Sequence, residues 1–264
     1  MERKFAFLGV GNMASAIING IQEKNVCLYD KNPDKVRPFL TRGYLQASSA
    51  AEAVAYADYI VLSVKPQNIP ELFDELRAAG TDASGKIFIS IVAGLAIPTI
   101  TAALGQVGVV RTMPNTPLMI GRGVTALTRN EAVPDADFDR ICAMFRTVGD
   151  TIVLPEDKMN AVISATSSAP AYVYLFIDAI RESAAKQGLD DERMLDLICQ
   201  MVIGSAEMIR QSGKTPAELI RMVTSPNGTT ERAMKVFEEA DLRGIVDRAM
   251  LACTRRAEEL SAGK

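Results

Sequence analysis

The 264-residue sequence contains no histidine. That excludes Ser-His-Asp and Cys-His nucleophile systems, a histidine general base and any metal site built on imidazole. Chemistry in this chain must use another acid or base, or draw its reactivity from a cofactor. Tryptophan is absent too, which removes the usual fluorescence probe, and aromatic residues reach only 6%. The four cysteines, Cys27, Cys142, Cys199 and Cys253, are far apart and form no CxxC pair. This rules out a zinc ribbon or dithiol redox motif, and scattered single thiols predict a reducing, cytoplasmic location. No apolar run approaches the roughly 20 residues that a membrane span requires, so no membrane partner is expected. Lys+Arg number 29 and Asp+Glu 32, a net charge of −3. So nearly neutral a chain lacks the basic face of a general nucleic-acid binder.

What is present is the balance of a protein with a sizeable core: 48% hydrophobic and 23% charged residues. The length suggests one large domain or two ordinary ones. The stretch from Met1 to Ile21 superficially resembles a signal peptide, with charges followed by apolar residues. Gly9, Gly11 and Asn12 interrupt it and no clean cleavage site follows, so it is expected to be the first element of the mature fold.

Five short apolar runs punctuate residues 1–155: Phe5–Leu8, Val26–Tyr29, Tyr59–Val64, Lys86–Ile91 and Val107–Thr112. Asn12 to Gln22 has helical periodicity through Met13, Ala16, Ile17 and Ile21. Nearly continuous apolar strands separated by helical stretches predict a parallel sheet covered on both faces. Right-handed crossovers then give an α/β, doubly wound Rossmann-type domain. After Pro155 no convincing strand is visible. Helices are expected over Pro170–Gln187, with Gly188 just past the end, and over Asp190–Gln211. Thr215-Pro216-Ala217-Glu218 is a capping-box start, and two more helices fill Glu231–Leu260. The predicted division is a nucleotide-binding domain over 1–155 and an all-helical domain over 156–264. So much apolar helical surface calls for a partner, and a second copy of the chain is the simplest.

Leu8-Gly9-Val10-Gly11-Asn12-Met13-Ala14 follows the first strand and opens the first helix. Gly9 permits the turn, Gly11 lets a pyrophosphate approach the backbone, and Ala14 lets helix and strand pack. The helix N-terminus offers free N–H groups to the phosphates. Glycines at a strand–helix turn also occur as plain turn chemistry; strand–turn–helix context favours dinucleotide binding. Asp30 lies 19 residues after Gly11, where a ribose-binding acid would favour NAD. Lys31 and Asn32 follow at once, with Arg37 nearby, and suit the 2′-phosphate of NADP. The reading leans to NADP and leaves NAD open.

Further candidates are turns at strand ends. Ser63, Val64, Lys65 and Pro66 could offer backbone groups to a ribose, and Val92, Ala93 and Gly94 would lie by the nicotinamide half. Both also read as ordinary strand stops, and Lys65 as a catalytic or a solvated lysine. Met113-Pro114-Asn115-Thr116-Pro117 is a stiff loop presenting small polar groups, or a structural turn. Thr224 to Thr230, with Asn227-Gly228 and then Thr229, reads equally as a carboxylate site and as an Asn-Gly turn with a Thr cap.

Together these segments resemble the pyrroline-5-carboxylate reductase family along essentially the whole chain. The resemblance is carried by Phe7–Ile17, Ala57–Gln67, the Val92–Gly94 turn, Arg111–Pro117, Ser167–Ala179 and, most specifically, Pro216–Met234. It implies NAD(P)H-dependent reduction of 1-pyrroline-5-carboxylate to L-proline, the last step of proline synthesis. It also implies an all-helical dimerisation domain, a homodimer and often a ring of dimers. By the same resemblance Thr230 would hydrogen-bond the ring nitrogen as the catalytic residue. Gly228 and Thr229 would hold the carboxylate, and Glu156 and the segment near Ser168 would line the pocket. Asn227 stands where the family usually has Gly, and Thr166-Ser167-Ser168-Ala169 where it often has a Gly-rich run. Asn tolerates left-handed backbone, whereas the second change adds bulk. Two rival readings are a β-hydroxyacid dehydrogenase, with Lys186 as the nearest candidate acid, and a non-catalytic nucleotide-binding redox sensor.

Overall fold

The computed structural model describes residues 3–21 and 23–262. Met1, Glu2 and Gln22, which figured in the readings of the N-terminus and first helix, lie outside the described residues. Among the described residues eight strands are present: β1 (Phe5–Leu8), β2 (Val26–Tyr29), β3 (Leu45–Gln46), β4 (Tyr59–Leu62), β5 (Ile87–Ser90), β6 (Gly108–Met113), β7 (Gly123–Arg129) and β8 (Gly149–Val153). They form one sheet in the order β3-β2-β1-β4-β5-β6-β7-β8. All neighbours are parallel except β6 and β7, which run antiparallel. The five strands read from the sequence are mutually parallel as expected, and the antiparallel neighbour β7 is an addition to them. Only residues 114–122 separate β6 from β7. That is too short for a parallel crossover, which takes a dozen or more residues.

Six helices clothe this sheet: α1 (Asn12–Gly20), α2 (Arg37–Leu40), α3 (Ala50–Tyr56), α4 (Ile69–Ala78), α5 (Ile97–Leu104) and α6 (Asp135–Arg146). Successive strand residues point to opposite faces. Phe5, Phe7, Leu28, Tyr59, Val61 and Ile89 therefore join one core with Ile17 of α1 and Ile141 and Phe145 of α6. Ala6, Leu8, Cys27, Ile60, Leu62 and Phe88 join the other, with Val54 of α3, Leu72 and Leu76 of α4 and Ile100 of α5. Burial on both faces is why these strands read as unbroken apolar runs.

Cys27 sits in the second core, 3% exposed. Burial, and then the charge of Glu52, pushes its thiol up to about 11, against an ordinary value of 9.0. The folded chain thus stays protonated where the unfolded chain ionises. This stabilisation is full below about pH 9 and fades as pH rises towards 11. Denaturant titrations at pH 8 and pH 10.5 should show wild type losing about 1–3 kcal/mol relative to Cys27→Ala over that interval. Parallel pH profiles for the two proteins would contradict it.

Five more α-helices follow among the described residues: α7 (Ala169–Lys186), α8 (Met194–Gln211), α9 (Pro216–Val223), α10 (Thr229–Glu239) and α11 (Leu242–Ser261). The capping box at Thr215 is present, with its hydroxyl accepting from the Glu218 N–H and the Glu218 carboxylate accepting from the Thr215 N–H. α8 starts later than expected because Asp191 accepts the Arg193 N–H and holds a turn ahead of it. By contacts the chain divides into two compact units, Met1–Ser168 with Cys253–Lys264, and Ala169–Ala252. Residues 156–168 and the end of α11 thus belong with the sheet. The helical unit has little interior of its own. Leu175 is 72% exposed and Val223 68%, and Ile198 is its one buried hydrophobic among the described residues. Apolar surface on this scale marks a partner-binding face. Among the described residues no helix is long and apolar enough to cross a membrane. Nor does any cluster of three or more His, Cys, Asp or Glu there suit a metal ion.

Candidate functional site

The glycine turn after β1 is held from both sides. Gly9 has φ +98°, and a Cβ there would lie 2.8 Å from the Ser63 carbonyl and the Val64 nitrogen. Its N–H donates to the Tyr29 carbonyl at 2.7 Å. The Ser63 hydroxyl donates to the Gly9 and Leu8 carbonyls at 2.6 and 3.1 Å. On the other side the Val10 N–H donates to Asp30 Oδ2 at 2.8 Å. Leu8 and Val10 are buried, Asn12 is exposed, and Met13 is half-buried against the core. Gly11 is different: its φ is −83° and nothing lies within 4 Å of where a Cβ would stand. The fold itself gives no reason for glycine there. Open space over the first turn of α1, where N–H groups lack intrahelical partners, fits a pyrophosphate. A dinucleotide cofactor therefore fits the residues present.

This turn borders a cleft of about 280 Å³, closed by Asp30, Lys31 and Asn32 on one side and by Ser63, Val64 and Lys65 on the other. Pro66 begins a single tight turn that ends the β4 segment. The rim is less cationic than its sequence suggests. Lys31 pairs with Glu71 at 2.7 Å, Lys35 with Asp30 at 3.3 Å and Arg37 with Asp34 at 2.9 Å. The hydrogen bond that the Lys31 ammonium donates to the Glu71 carboxylate raises the lysine's pKa above its ordinary value. Asn32 spends its side-chain oxygen on the Asp34 N–H.

Val92, Ala93 and Gly94 follow β5, with the Val92 N–H donating to Ser90 Oγ at 3.3 Å. Gly94 has φ +76°, and a Cβ there would come within 2.8 Å of Leu260 Cβ near the end of α11. Packing against that helix demands glycine at 94, whatever else lies beside it. Asn115 is 7% exposed and works inside the protein. Its amide donates to the Thr166 carbonyl at 3.1 Å and accepts the Val124 N–H at 2.9 Å. It braces the reversal between β6 and β7 against the wide, π-type turn Ile163–Ser167.

Arg111, which sequence reasoning passed over, is the centre of a buried network. It is 1% exposed in β6. It donates from Nη1 to Glu156 Oε1 at 2.9 Å and from Nη2 to Asn160 Oδ1 at 2.6 Å. The same Glu156 oxygen accepts the Ile97 N–H that opens α5, and Asn160 Oδ1 accepts from Ser261 Oγ. A charge inside the apolar run Val109–Met113 was the available signal, because charges are almost never fully buried unpaired. Ser168 accepts from the Cys253 thiol at 3.4 Å, while the neighbouring Ser167 hydroxyl is buried without a protein partner.

The remaining candidates lie in the helical unit. Asn227 has φ 59°, and its N–H donates to Glu231 Oε2 at 2.8 Å. Gly228 caps α10, and Thr229 and Thr230 are its first two residues. Among the described residues neither threonine hydroxyl has a hydrogen-bond partner, unlike Thr224, whose hydroxyl returns to the Ile220 carbonyl. A helix N-terminus with free N–H groups and free hydroxyls suits a small carboxylate with a second polar atom. Lys186 is the exposed last residue of α7, not a buried acid. The sheet unit thus gathers Gly9, Gly11, Lys31, Asn32 and Ser63–Lys65 around one cleft, while Leu8, Val10, Asn12 and Met13 do not line it, and the Gly228–Thr230 corner stands in the other unit.

Comparison with known proteins agrees with this geometry. The family profile described as pyrroline-5-carboxylate reductase dimerisation matches residues 156–260, and that described as NADP oxidoreductase, coenzyme F420-dependent, matches 4–94. The pyrroline-5-carboxylate reductase of Escherichia coli is 34% identical, covering 99% of each chain. That of Pseudomonas aeruginosa is 35% identical, covering 98% of this chain and 97% of its own. Among solved structures, the Plasmodium falciparum pyrroline carboxylate reductase with NADP bound is 28% identical, with a TM-score of 0.88 over 99% of each chain. A Coxiella burnetii pyrroline-5-carboxylate reductase is 33% identical, with the same TM-score and coverage. With full-length identity at this level, the chain belongs to the pyrroline-5-carboxylate reductase family.

Proposed function

We propose that this protein reduces 1-pyrroline-5-carboxylate to L-proline with NADPH, with NADH as the second donor. The observation that carries the reading is the free-hydroxyl Thr229–Thr230 corner at the start of α10. It occurs in the same chain as a glycine turn whose Gly11 leaves room for a pyrophosphate. The bound nicotinamide supplies a hydride to a cyclic iminium, which is already a strong acceptor. The chain's own task is mainly to hold and orient, and such positioning can contribute about 7–11 kcal/mol. The N–H groups of Gly228 and Thr229 hold the carboxylate, and the Thr230 hydroxyl orients or protonates the ring nitrogen. No strong acid is needed, which is why a chain without histidine can do this work.

Leu8–Met13, Lys31, Asn32, Ser63–Pro66 and Val92–Gly94 are assigned to the cofactor. Glu156, Asn115 and Ser168 keep their place in the site as residues that position the loops around it, through the bonds of Glu156 Oε1, the Asn115 amide and the Ser168 hydroxyl within the sheet unit, while Glu156 Oε2 stays buried without a partner. Residues 1–155 serve as the nucleotide-binding domain and 156–264 as the dimerisation and substrate domain. The exposed apolar helices support a homodimer, assembled further into a ring of dimers in the cytoplasm.

Purified protein given pyrroline-5-carboxylate should oxidise NADPH and yield one proline per nucleotide, with turnover on the order of 1–10³ s⁻¹. It should not reduce NADP with 3-hydroxy acids. Absence of proline would sink the reading. Brisk 3-hydroxy acid oxidation would favour the β-hydroxyacid dehydrogenase class instead.

A further inference from the structure

We infer that Asp30 is a positioning residue, the second strut of the glycine turn, and not a ligand of the adenosine ribose. The inference rests on the nucleotide reading above. In doubly wound folds an acidic residue at this place normally accepts the ribose hydroxyls and thereby selects NAD. Here the carboxylate, at the edge of the cleft, is only 10% exposed and most of its lone pairs are taken up within the chain. Oδ2 accepts the Val10 N–H at 2.8 Å and the Lys35 ammonium at 3.3 Å, and Oδ1 accepts the Asn32 N–H at 2.9 Å. A carboxylate offers about four lone-pair sites, and three are in use. A diol needs two acceptors side by side, so the ordinary grip on the ribose is not available.

What the carboxylate does instead is visible in its partners. Val10 is 2% exposed, so its N–H has no water to turn to if Asp30 is removed. Ser63 pulls on the Gly9 carbonyl from one side and Asp30 on the Val10 N–H from the other. Between them the open face at Gly11 is held in one conformation. Losing either strut disturbs the backbone that faces the pyrophosphate, which NADPH and NADH share. The residue therefore governs affinity for both nucleotides and not the choice between them.

Two experiments test this by titrating nicotinamide fluorescence. In wild-type protein, NADH and its analogue lacking the adenosine 2′-hydroxyl should bind within threefold of each other. A loss of tenfold or more with the analogue would overturn the inference. In Asp30→Ala, the dissociation constants for NADPH and NADH should both rise tenfold or more with their ratio kept within threefold. KM for nucleotide should rise with kcat little changed, and Asp30→Asn, which keeps an acceptor for Val10, should recover part of the loss. Weaker NADH binding beside unchanged or tighter NADPH binding would refute it. The wild-type titration holds whether or not the variants fold. Wild-type protein that bound neither nucleotide would overturn the nucleotide reading itself, and the inference with it, a result distinct from either pattern above.

Discussion

Arg111→Met should lower folding stability by about 3 kcal/mol, the lower end of the 3–5 kcal/mol typical when one partner of a buried ion pair is removed. The guanidinium is wholly buried in β6, and its loss strands two groups at once. Glu156 keeps its charge without a counter-ion, and Asn160 loses a 2.6 Å donor. Glu156 Oε2 is buried without a hydrogen-bond partner, but Oε1 keeps the Ile97 N–H after the substitution, which is why the lower end applies. Methionine fills much of the space, so the deficit reports the unpaired groups more than a cavity. Glu156→Gln should be milder, because the amide oxygen can still accept from Ile97. The double variant should then lose less than the sum of the two, with a coupling of about 0.5–3 kcal/mol. Denaturant midpoints at one fixed protein concentration measure all three. If Arg111→Met stays within 1 kcal/mol of wild type, the network does not hold the sheet to the 156–160 segment.

The same residue shows where sequence reading runs out. Strands β1, β2, β4, β5 and β6 were legible because both faces of the sheet are covered, and a doubly buried strand is an apolar run. β3 is two exposed residues at an edge, and β8 is the other edge, with Ile152 and Val153 about half exposed. Neither leaves a run to see. β7 mixes Val124, Ala126 and Leu127 with two threonines and leaves no unbroken apolar run, and it lay hidden behind the Asn115-Thr116-Pro117 loop. That loop was read either as a rigid frame for polar groups or as a structural turn. Its stiffness is real, but it serves the reversal that makes β7 antiparallel. In the helical half, caps and periodicity located α7 to α11, because such signals are local, although α8 begins four residues later than read and the short turns at 156–158 and 163–167 were missed. Asn227 was read only as a residue that tolerates left-handed backbone, and it is found at φ 59°. The partners of Asp30 and Glu156 were not foreseeable. Residue type and spacing say that an acid is near a turn, but not which way its carboxylate faces. That direction is set by tertiary contacts such as Val10 over Asp30 and Arg111 beside Glu156.

Thr230→Val should reduce kcat about 100-fold while leaving the dissociation constant for NADPH unchanged, at the low end of what general acid catalysis contributes. Valine keeps the shape of threonine and removes only the hydroxyl. That hydroxyl is otherwise unengaged within the chain, so no internal hydrogen bond is lost with it. The turn before it stays braced by the Glu231 carboxylate on the Asn227 N–H, and the thermal midpoint should hardly move. A much larger fall would imply a true proton donor. The iminium argues against that, since a cyclic imine takes up a proton near neutral pH and then needs only orientation. Thr230→Ser restores the hydroxyl on a less restrained side chain and should stay within about tenfold of wild type. Steady-state kinetics with saturating NADPH, paired with nucleotide titrations, separate the two effects. Full activity in Thr230→Val would remove the hydroxyl from the reaction, and the carboxylate-binding N–H groups of Gly228 and Thr229 would then be the corner's whole contribution.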